Sequence, residues 1–123
     1  LLSSAASDVY KRQDNIFLKI VNKELPADIV YEDDIAIAFN DISPQAPTHI
    51  LIIPKKEITK LTDSTSNDTE LLGHLLFVAK KITDDLKIEN YRVVINNGSE
   101  AGQTVFHLHL HVLAGRTFGW PPG

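Results

Sequence analysis

Apolar residues recur at helical spacing in two stretches of the chain, and this periodicity predicts two main helices. The first helix is expected over residues 14–23, with Asp14 as its N-terminal cap and Pro26 after its end. The second and longer helix is expected over residues 69–86, with a capping box formed by Asn67 and Glu70.

Five shorter apolar segments have the length and the β-branched content that are typical of strands. They span residues 29–32, 35–40, 49–53, 91–96 and 104–113. Short connections favour antiparallel neighbours. The fold class expected is therefore α+β, with a single antiparallel five-stranded sheet and two main helices packed mainly on one face.

Length and composition restrict the kind of protein further. The chain has 123 residues, enough for one domain, and no apolar run reaches the roughly 20 residues that a membrane-spanning helix needs. It has no cysteine, which excludes disulfides and thiolate zinc sites and is compatible with a reducing compartment. A net charge of −4 argues against a broad basic surface for nucleic acid. We therefore expect a cytoplasmic protein with neither nucleic acid nor membrane as a partner.

The first residues differ in character from the rest of the chain. The segment 8–13, Asp-Val-Tyr-Lys-Arg-Gln, can be encoded by the end sequence of a transposase-based sequencing adapter. We expect residues 1–13 to be either a non-native segment or a disordered tail. The domain itself is expected over residues 14–123, with a C-terminal tail over 115–123.

Three histidines alternate along the last expected strand. Since alternate residues of a strand point the same way, His107, His109 and His111 should share one face, about 6.6 Å apart. Three imidazoles kept together near neutral pH repel one another once protonated, so their alignment points to a function.

Two chemistries fit such a row of imidazoles. A His-x-His pair can bind a metal ion, and a neutral imidazole can attack phosphorus while a neighbouring imidazole handles the proton. The loop before the strand favours the second, because Gly98 and Gly102 let backbone amides approach an anion and Gln103 and Thr104 add side-chain donors.

Three segments together resemble one known family. Residues 102–113 resemble the histidine-triad motif, His-φ-His-φ-His-φ-φ with φ apolar, and residues 39–56 are similar to the family's other hallmark. Residues 115–123, ending Trp-Pro-Pro-Gly, resemble the histidine triad nucleotide-binding (Hint) branch in particular. The resemblance covers residues 14–123 and implies an HIT-like fold whose sheet continues across a homodimer.

The resemblance assigns a role to individual residues of this chain. It implies that His109 is the nucleophile that becomes nucleotidylated and that His111 contacts the phosphate and the leaving group. His107 and His49 match supporting histidines, and Asp41 matches the carboxylate that accepts hydrogen bonds from the ribose hydroxyls.

The remaining implied contacts surround the base and the phosphate. Residues matching the purine lining are Ile16, Phe17, Ile20, Phe39 and Ile42. Residues matching the phosphate side are Asn96, Gly102, Gln103 and Thr104. Trp120 matches a tail residue that reaches toward the active site of a partner subunit. Thr104 stands where many members have serine, and its hydroxyl keeps the donor.

The function that the resemblance implies is hydrolysis of the P–N bond of purine nucleoside 5′-monophosphoramidates through nucleotidyl-His109, on AMP or GMP conjugates. No metal and no cofactor are expected. Three alternatives stay open: a dinucleoside polyphosphate hydrolase or nucleotidyl transferase of the same family, a non-catalytic nucleotide-binding or scaffold protein, and a zinc-binding protein.

Overall fold

The computed structural model describes residues 15–123. The expectations for residues 1–13 and for a cap at Asp14 concern positions outside the described residues. In chain order the helices and strands are α1 (Ile16–Val21), β1 (Ile29–Glu32), β2 (Ala36–Asn40), β3 (Thr48–Pro54), α2 (Thr69–Asp85), β4 (Tyr91–Val94) and β5 (Leu110–Ala114). Short 3₁₀ turns lie at Leu61–Asp63, Ser66–Asp68 and Ser99–Ala101.

All five strands form one antiparallel sheet in the order β1-β2-β3-β5-β4. The fold class expected from the sequence is confirmed. Strand β3 lies at the centre, where Leu51 pairs with His111 of β5. Strand β4 forms one edge of the sheet and pairs with β5 through the register Val94–His111.

The two helices cover opposite faces of the sheet, so the expectation that both pack mainly on one face was wrong. Helix α2 packs its Leu75 and Val78 with Ile50 and Ile52 of β3. Phe17 and Ile20 of α1 belong to the other core cluster, with Leu51 and Ile53 of β3 and with Ile37 and Phe39 of β2. Because successive strand residues face opposite ways, the unbroken apolar run of β3 is what a strand buried on both faces requires.

Strand β5 begins at Leu110 and not at residue 104 as expected. The segment before it hydrogen-bonds to the last residue of β3 and to the chain that follows β3. The Leu108 amide donates to the Ile58 carbonyl at 2.7 Å, and His107 Nε2 lies 2.8 Å from the Pro54 carbonyl. His107 and His109 therefore lie just before the strand, although Leu108 and Leu110 still alternate into the core.

The helix ends also differ from the sequence expectation. Asn15 is the cap of α1, and its Oδ1 accepts the Leu18 amide. The capping box expected at Asn67 and Glu70 is wrong, because Thr65 and Asp68 form it two residues earlier, at a 3₁₀ turn that leads into α2. Among residues 15–123, no helix has both the length and the apolar character needed to cross a bilayer.

Candidate active site

A cavity of about 750 Å³ opens between α1, the end of β2 and the segment that leads into β5. Eleven of the residues singled out from the sequence line it: Ile16, Phe17, Ile20, Phe39, Asp41, Ile42, His49, Gly102, Thr104, His109 and His111. Asn96, Gln103, His107 and Trp120 are not among its lining residues. The fold thus gathers residues from four separate segments around one space.

The ring of His109 is oriented by the backbone of the same segment. Its Nδ1 lies 2.7 Å from the His107 carbonyl oxygen, which can only accept a hydrogen bond, so Nδ1 carries the proton. The ring is buried and packs edge-on against Phe17 with centroids 5.0 Å apart. With Nδ1 protonated, Nε2 of the neutral ring keeps its lone pair, which is the requirement for a nucleophile in the cavity.

A chain of hydrogen bonds also determines the tautomers of His49 and His111. The Gln45 amide donates to His49 Nδ1 at 3.0 Å, so the proton of a neutral His49 sits on Nε2. That Nε2 lies 2.9 Å from His111 Nδ1, which therefore accepts and leaves the His111 proton on its own Nε2. The rings of His109 and His111 are 4.9 Å apart, so an attacking lone pair and a donor proton stand side by side.

His107 is fully buried and belongs to the support of the site. Its Nε2 donates to the Pro54 carbonyl, and its Nδ1 lies 3.1 Å from Asn15 Nδ2. Because Asn15 Oδ1 accepts from the Leu18 amide, its Nδ2 is the atom that donates to His107. Asn15 thus connects the start of α1 to the histidine segment. Sequence reasoning missed this residue, and the only signal for it was a good capping residue directly before the apolar face of the helix.

The loop before the histidines is held together largely by its own hydrogen bonds. Gln103 is buried, with Oε1 accepting the Gly98 amide and Nε2 donating to the carbonyls of Thr59 and Val105. The side-chain donor expected from Gln103 for a phosphate is therefore engaged by two backbone carbonyls of the protein. Gly102 has φ +98°, a conformation that favours glycine, and a Cβ there would lie 3.6 Å from Asn96 Nδ2.

Asp41 lies at the mouth of the cavity beside His49. Its Oδ1 accepts the Ser43 amide at 2.8 Å, and its Oδ2 lies 3.4 Å from His49 Nε2. The neighbouring Ile42 is 96% exposed, and Trp120 in the tail is 85% exposed. The carboxylate of Asp41 and the apolar side chain of Ile42 thus lie at the opening, where a ligand would be the natural partner, whereas Trp120 is not among the cavity's lining residues.

One potential metal-ligand group occurs within the described residues. A ligand atom from each of Asp41, His49 and His111 lies within 4.8 Å of the other two. The hydrogen bonds fit a resident ion poorly, because a histidine that binds metal normally donates through its other nitrogen, whereas His49 Nδ1 accepts from the Gln45 amide. The hydrogen bond between His49 and His111 is therefore better suited to carrying a proton than to holding a metal ion.

Burial lowers the pKa of all four histidines of the site. For His111 the pKa falls to about 4, chiefly by desolvation and further by the neighbouring His109 and His49, against the opposing charge of Asp41. Desolvation also lowers the pKa of His109, and the His107 carbonyl and Asp41 oppose it. The pKa values of His107 and His49 are lowered by the same dominant cause. The histidines are therefore neutral at pH 7, as the tautomer assignments require.

Comparison with known proteins gives a consistent result. The family model described as "HIT domain" matches residues 22–118. An uncharacterized HIT-like protein of Synechocystis is 59% identical over 90% of this chain and 98% of its own length, and one of Synechococcus elongatus is 54% identical over the same shares. Among solved structures, a HIT family hydrolase from Legionella pneumophila matches with a TM-score of 0.84 and 50% identity, over 88% of this chain and 98% of that one. A histidine triad nucleotide-binding protein from Candida albicans matches with a TM-score of 0.74 and 36% identity, over 88% and 83%.

Proposed function

The chain belongs to the HIT domain family, and from this premise we propose that it hydrolyses purine nucleoside 5′-monophosphoramidates through a covalent nucleotidyl-His109 intermediate. The observation that carries the proposal is the 2.7 Å hydrogen bond from His109 Nδ1 to the His107 carbonyl. It keeps the proton away from Nε2, the atom that must attack, without any metal or external base.

The cavity is divided in a way that suits a nucleotide. Its apolar part, formed largely by Ile16, Phe17, Ile20 and Phe39, would bind the purine ring. Asp41 would accept hydrogen bonds from the ribose hydroxyls, and Thr104 would donate its hydroxyl to the phosphate beside His109. Two solved relatives support this assignment by their names. One is described as a HIT family hydrolase, which favours hydrolysis, and the other as a histidine triad nucleotide-binding protein, which favours nucleotide binding. The choice of a P–N bond rests on the likeness of residues 115–123 to the Hint branch.

The reaction divides into two displacements at phosphorus. In the first, the His109 Nε2 lone pair forms an N–P bond, the P–N bond of the substrate breaks, and the departing amine takes the Nε2 proton of His111 while a proton from solvent replaces it through His49, so that the pair stays neutral. In the second, water attacks the nucleotidyl-His109, the N–P bond breaks, and the pair relays the proton lost by the water back to solvent. The products are an amine and a nucleoside 5′-monophosphate.

The rival activities can be separated by the substrates they need. We expect kcat/KM to be much higher for a fluorogenic adenosine 5′-phosphoramidate than for a diadenosine polyphosphate. The reverse order would favour a dinucleoside polyphosphate hydrolase. Nucleotide binding with no turnover of either substrate would favour a binding or scaffold protein.

The pH dependence follows from the lowered pKa of His109. Because burial lowers that pKa below the ordinary value of ~6.5, His109 is a free base across neutral pH. We expect kcat/KM to stay level from pH 8 down to about 6.5 and to fall in more acidic solution as His109 protonates. A pH–rate profile measures this, with circular dichroism at each pH as the control for unfolding. A rate that instead rises steadily with acid across neutral pH would mean that a protonated histidine is required.

We further propose that the chain forms a homodimer through α2 and the β4 edge. The large apolar side chains of Leu76 and Phe77 on α2, Leu86 at its end and Tyr91 on β4 are between 39% and 55% exposed. An open strand edge beside exposed apolar side chains is typical of a surface covered by another chain. We expect sedimentation at micromolar concentration to give a dimer mass that Phe77→Glu reduces to that of a monomer. A wild-type chain that sediments as a monomer would contradict this.

A further inference from the structure

Arg116, the second residue of the C-terminal tail, contacts the loop between β2 and β3. Its Nε and Nη2 both donate to the Gln45 carbonyl, at 3.3 and 3.2 Å, and its Nη1 donates to the Thr117 carbonyl. Two donors of one rigid guanidinium group therefore hold the Gln45 carbonyl oxygen, which restricts the position of Gln45 more than a single hydrogen bond would.

Gln45 is the residue whose amide determines the His49 tautomer. The Gln45 carbonyl accepts from Arg116, and the Gln45 amide donates to His49 Nδ1 at 3.0 Å. From His49 the hydrogen bonds continue to His111, at 2.9 Å. One continuous series of contacts therefore joins the tail to an imidazole that lines the cavity.

A second, independent contact presses the tail against the same loop. Gly115 has φ +95°, and a Cβ at that position would lie 2.7 Å from Pro47 Cβ, closer than real side chains approach. Only a glycine permits this separation, so the backbone before Arg116 lies directly against the chain that carries Gln45.

From these contacts we infer that Arg116 is a positioning residue. By holding Gln45 in place, it keeps the proton of His49 on Nε2. Through His49 it also keeps the proton of His111 on Nε2, the nitrogen that faces the cavity. If the Gln45 amide moves away, His49 can carry its proton on Nδ1 instead. His49 Nε2 would then accept from His111 Nδ1, and His111 would present a lone pair where the leaving amine needs a proton. The kinetic part of this inference rests on the proposed function, whereas the tautomer part does not.

A simpler role for Arg116 would be to anchor the tail. Its guanidinium lies 4.3 Å from the centre of the Phe118 ring, and that of Arg92 lies 5.1 Å from the same centre. Arg92 also donates to the Gly119 carbonyl at 2.8 Å. Arg92 thus shares the tail contacts of Arg116, whereas the Gln45 carbonyl accepts from Arg116 and not from Arg92, which makes Arg92→Ala a matched control.

The test combines nitrogen-15 NMR of the histidine rings with steady-state kinetics on the full chain. For the wild type and Arg92→Ala we expect His49 with a protonated Nε2 and an unprotonated Nδ1. For Arg116→Ala we expect a mixture of His49 tautomers and a fall in kcat of about ten- to a hundredfold with little change in KM, since misplaced catalytic groups lower the rate more than binding. Added guanidinium should restore part of the tautomer signal and of kcat, and Arg116→Lys should lie between the two.

Two results would overturn the inference. One is an unchanged His49 tautomer in Arg116→Ala, and the other is an equal change in Arg92→Ala, which would reduce Arg116 to a tail anchor. If the chain hydrolyses no phosphoramidate at all, the proposed function fails, yet the ring nitrogen signals of the free protein still decide the role of Arg116. Partial rescue by guanidinium separates loss of the contact from misfolding of the variant.

Discussion

Replacement of His109 by alanine is expected to lower kcat for an adenosine phosphoramidate by about 10³-fold or more while leaving nucleotide affinity within a few-fold of wild type. The variant loses the only atom that can form the N–P bond in the proposed reaction, His109 Nε2. It keeps Asp41, Thr104 and the apolar lining that would bind the nucleotide. Stopped-flow turnover and calorimetric titration with AMP measure the two quantities separately.

The control for this variant is another histidine of the same chain. His74 lies on α2, on the opposite face of the sheet, where its Nε2 contacts Asp33 at 2.6 Å. We expect His74→Ala to keep wild-type turnover. A His109→Ala variant with near-normal kcat would contradict the mechanism, and one that also lost AMP binding would point to a collapsed cavity.

The second large effect concerns Asp41. Asp41→Asn is expected to reduce kcat/KM for a ribonucleoside phosphoramidate by about ten- to a hundredfold, because a hydrogen bond to a charged group contributes about 1.5–3 kcal/mol. Asparagine is nearly isosteric, and its oxygen can still accept the Ser43 amide that Oδ1 accepts in the wild type. The fall in kcat/KM should therefore reflect the lost negative charge and not a change in the shape of the loop.

A substrate that lacks both ribose hydroxyls tests whether the effect of Asp41→Asn comes from a contact with the ribose. The wild type should lose a similar factor on this 2′,3′-dideoxy analogue, and Asp41→Asn should lose little more, because the partner of the carboxylate is already gone. The exposed Asp84, replaced by asparagine, serves as a control for the change in net charge. Losses that simply multiply would contradict a direct contact between Asp41 and the ribose.

Much of the fold could be predicted from the sequence because local periodicity and burial agree there. The leucine-rich stripe of α2 and the apolar run of β3 each match a buried element within about a residue at each end. The start of β5 could not be predicted, because it depends on the Leu108 amide meeting Ile58, a residue distant in the chain. Alternation alone does not distinguish a strand from an extended segment bonded to a loop.

The site could be predicted to a similar degree, and the prediction failed in part for a similar reason. The spacing of the three histidines placed His109 and His111 on one side, and both line the cavity. His107 is instead fully buried and accepts a hydrogen bond from Asn15, a residue 92 positions earlier. The internal use of Gln103 depends on Thr59, 44 positions away. A hydrogen bond between distant segments leaves no mark on local sequence, so such supporting residues emerge only from the folded chain.

The central claim is that His109 becomes covalently bound to the nucleotide. The most direct test is rapid-quench mass spectrometry of the full chain during turnover of an adenosine phosphoramidate, with peptide mapping of the product. The mechanism predicts a mass increase of one adenylyl group on the peptide that contains His109, formed and lost at rates that account for kcat, and absent from His109→Ala. Full turnover with no adduct at any quench time, or an adduct on another residue, would contradict it.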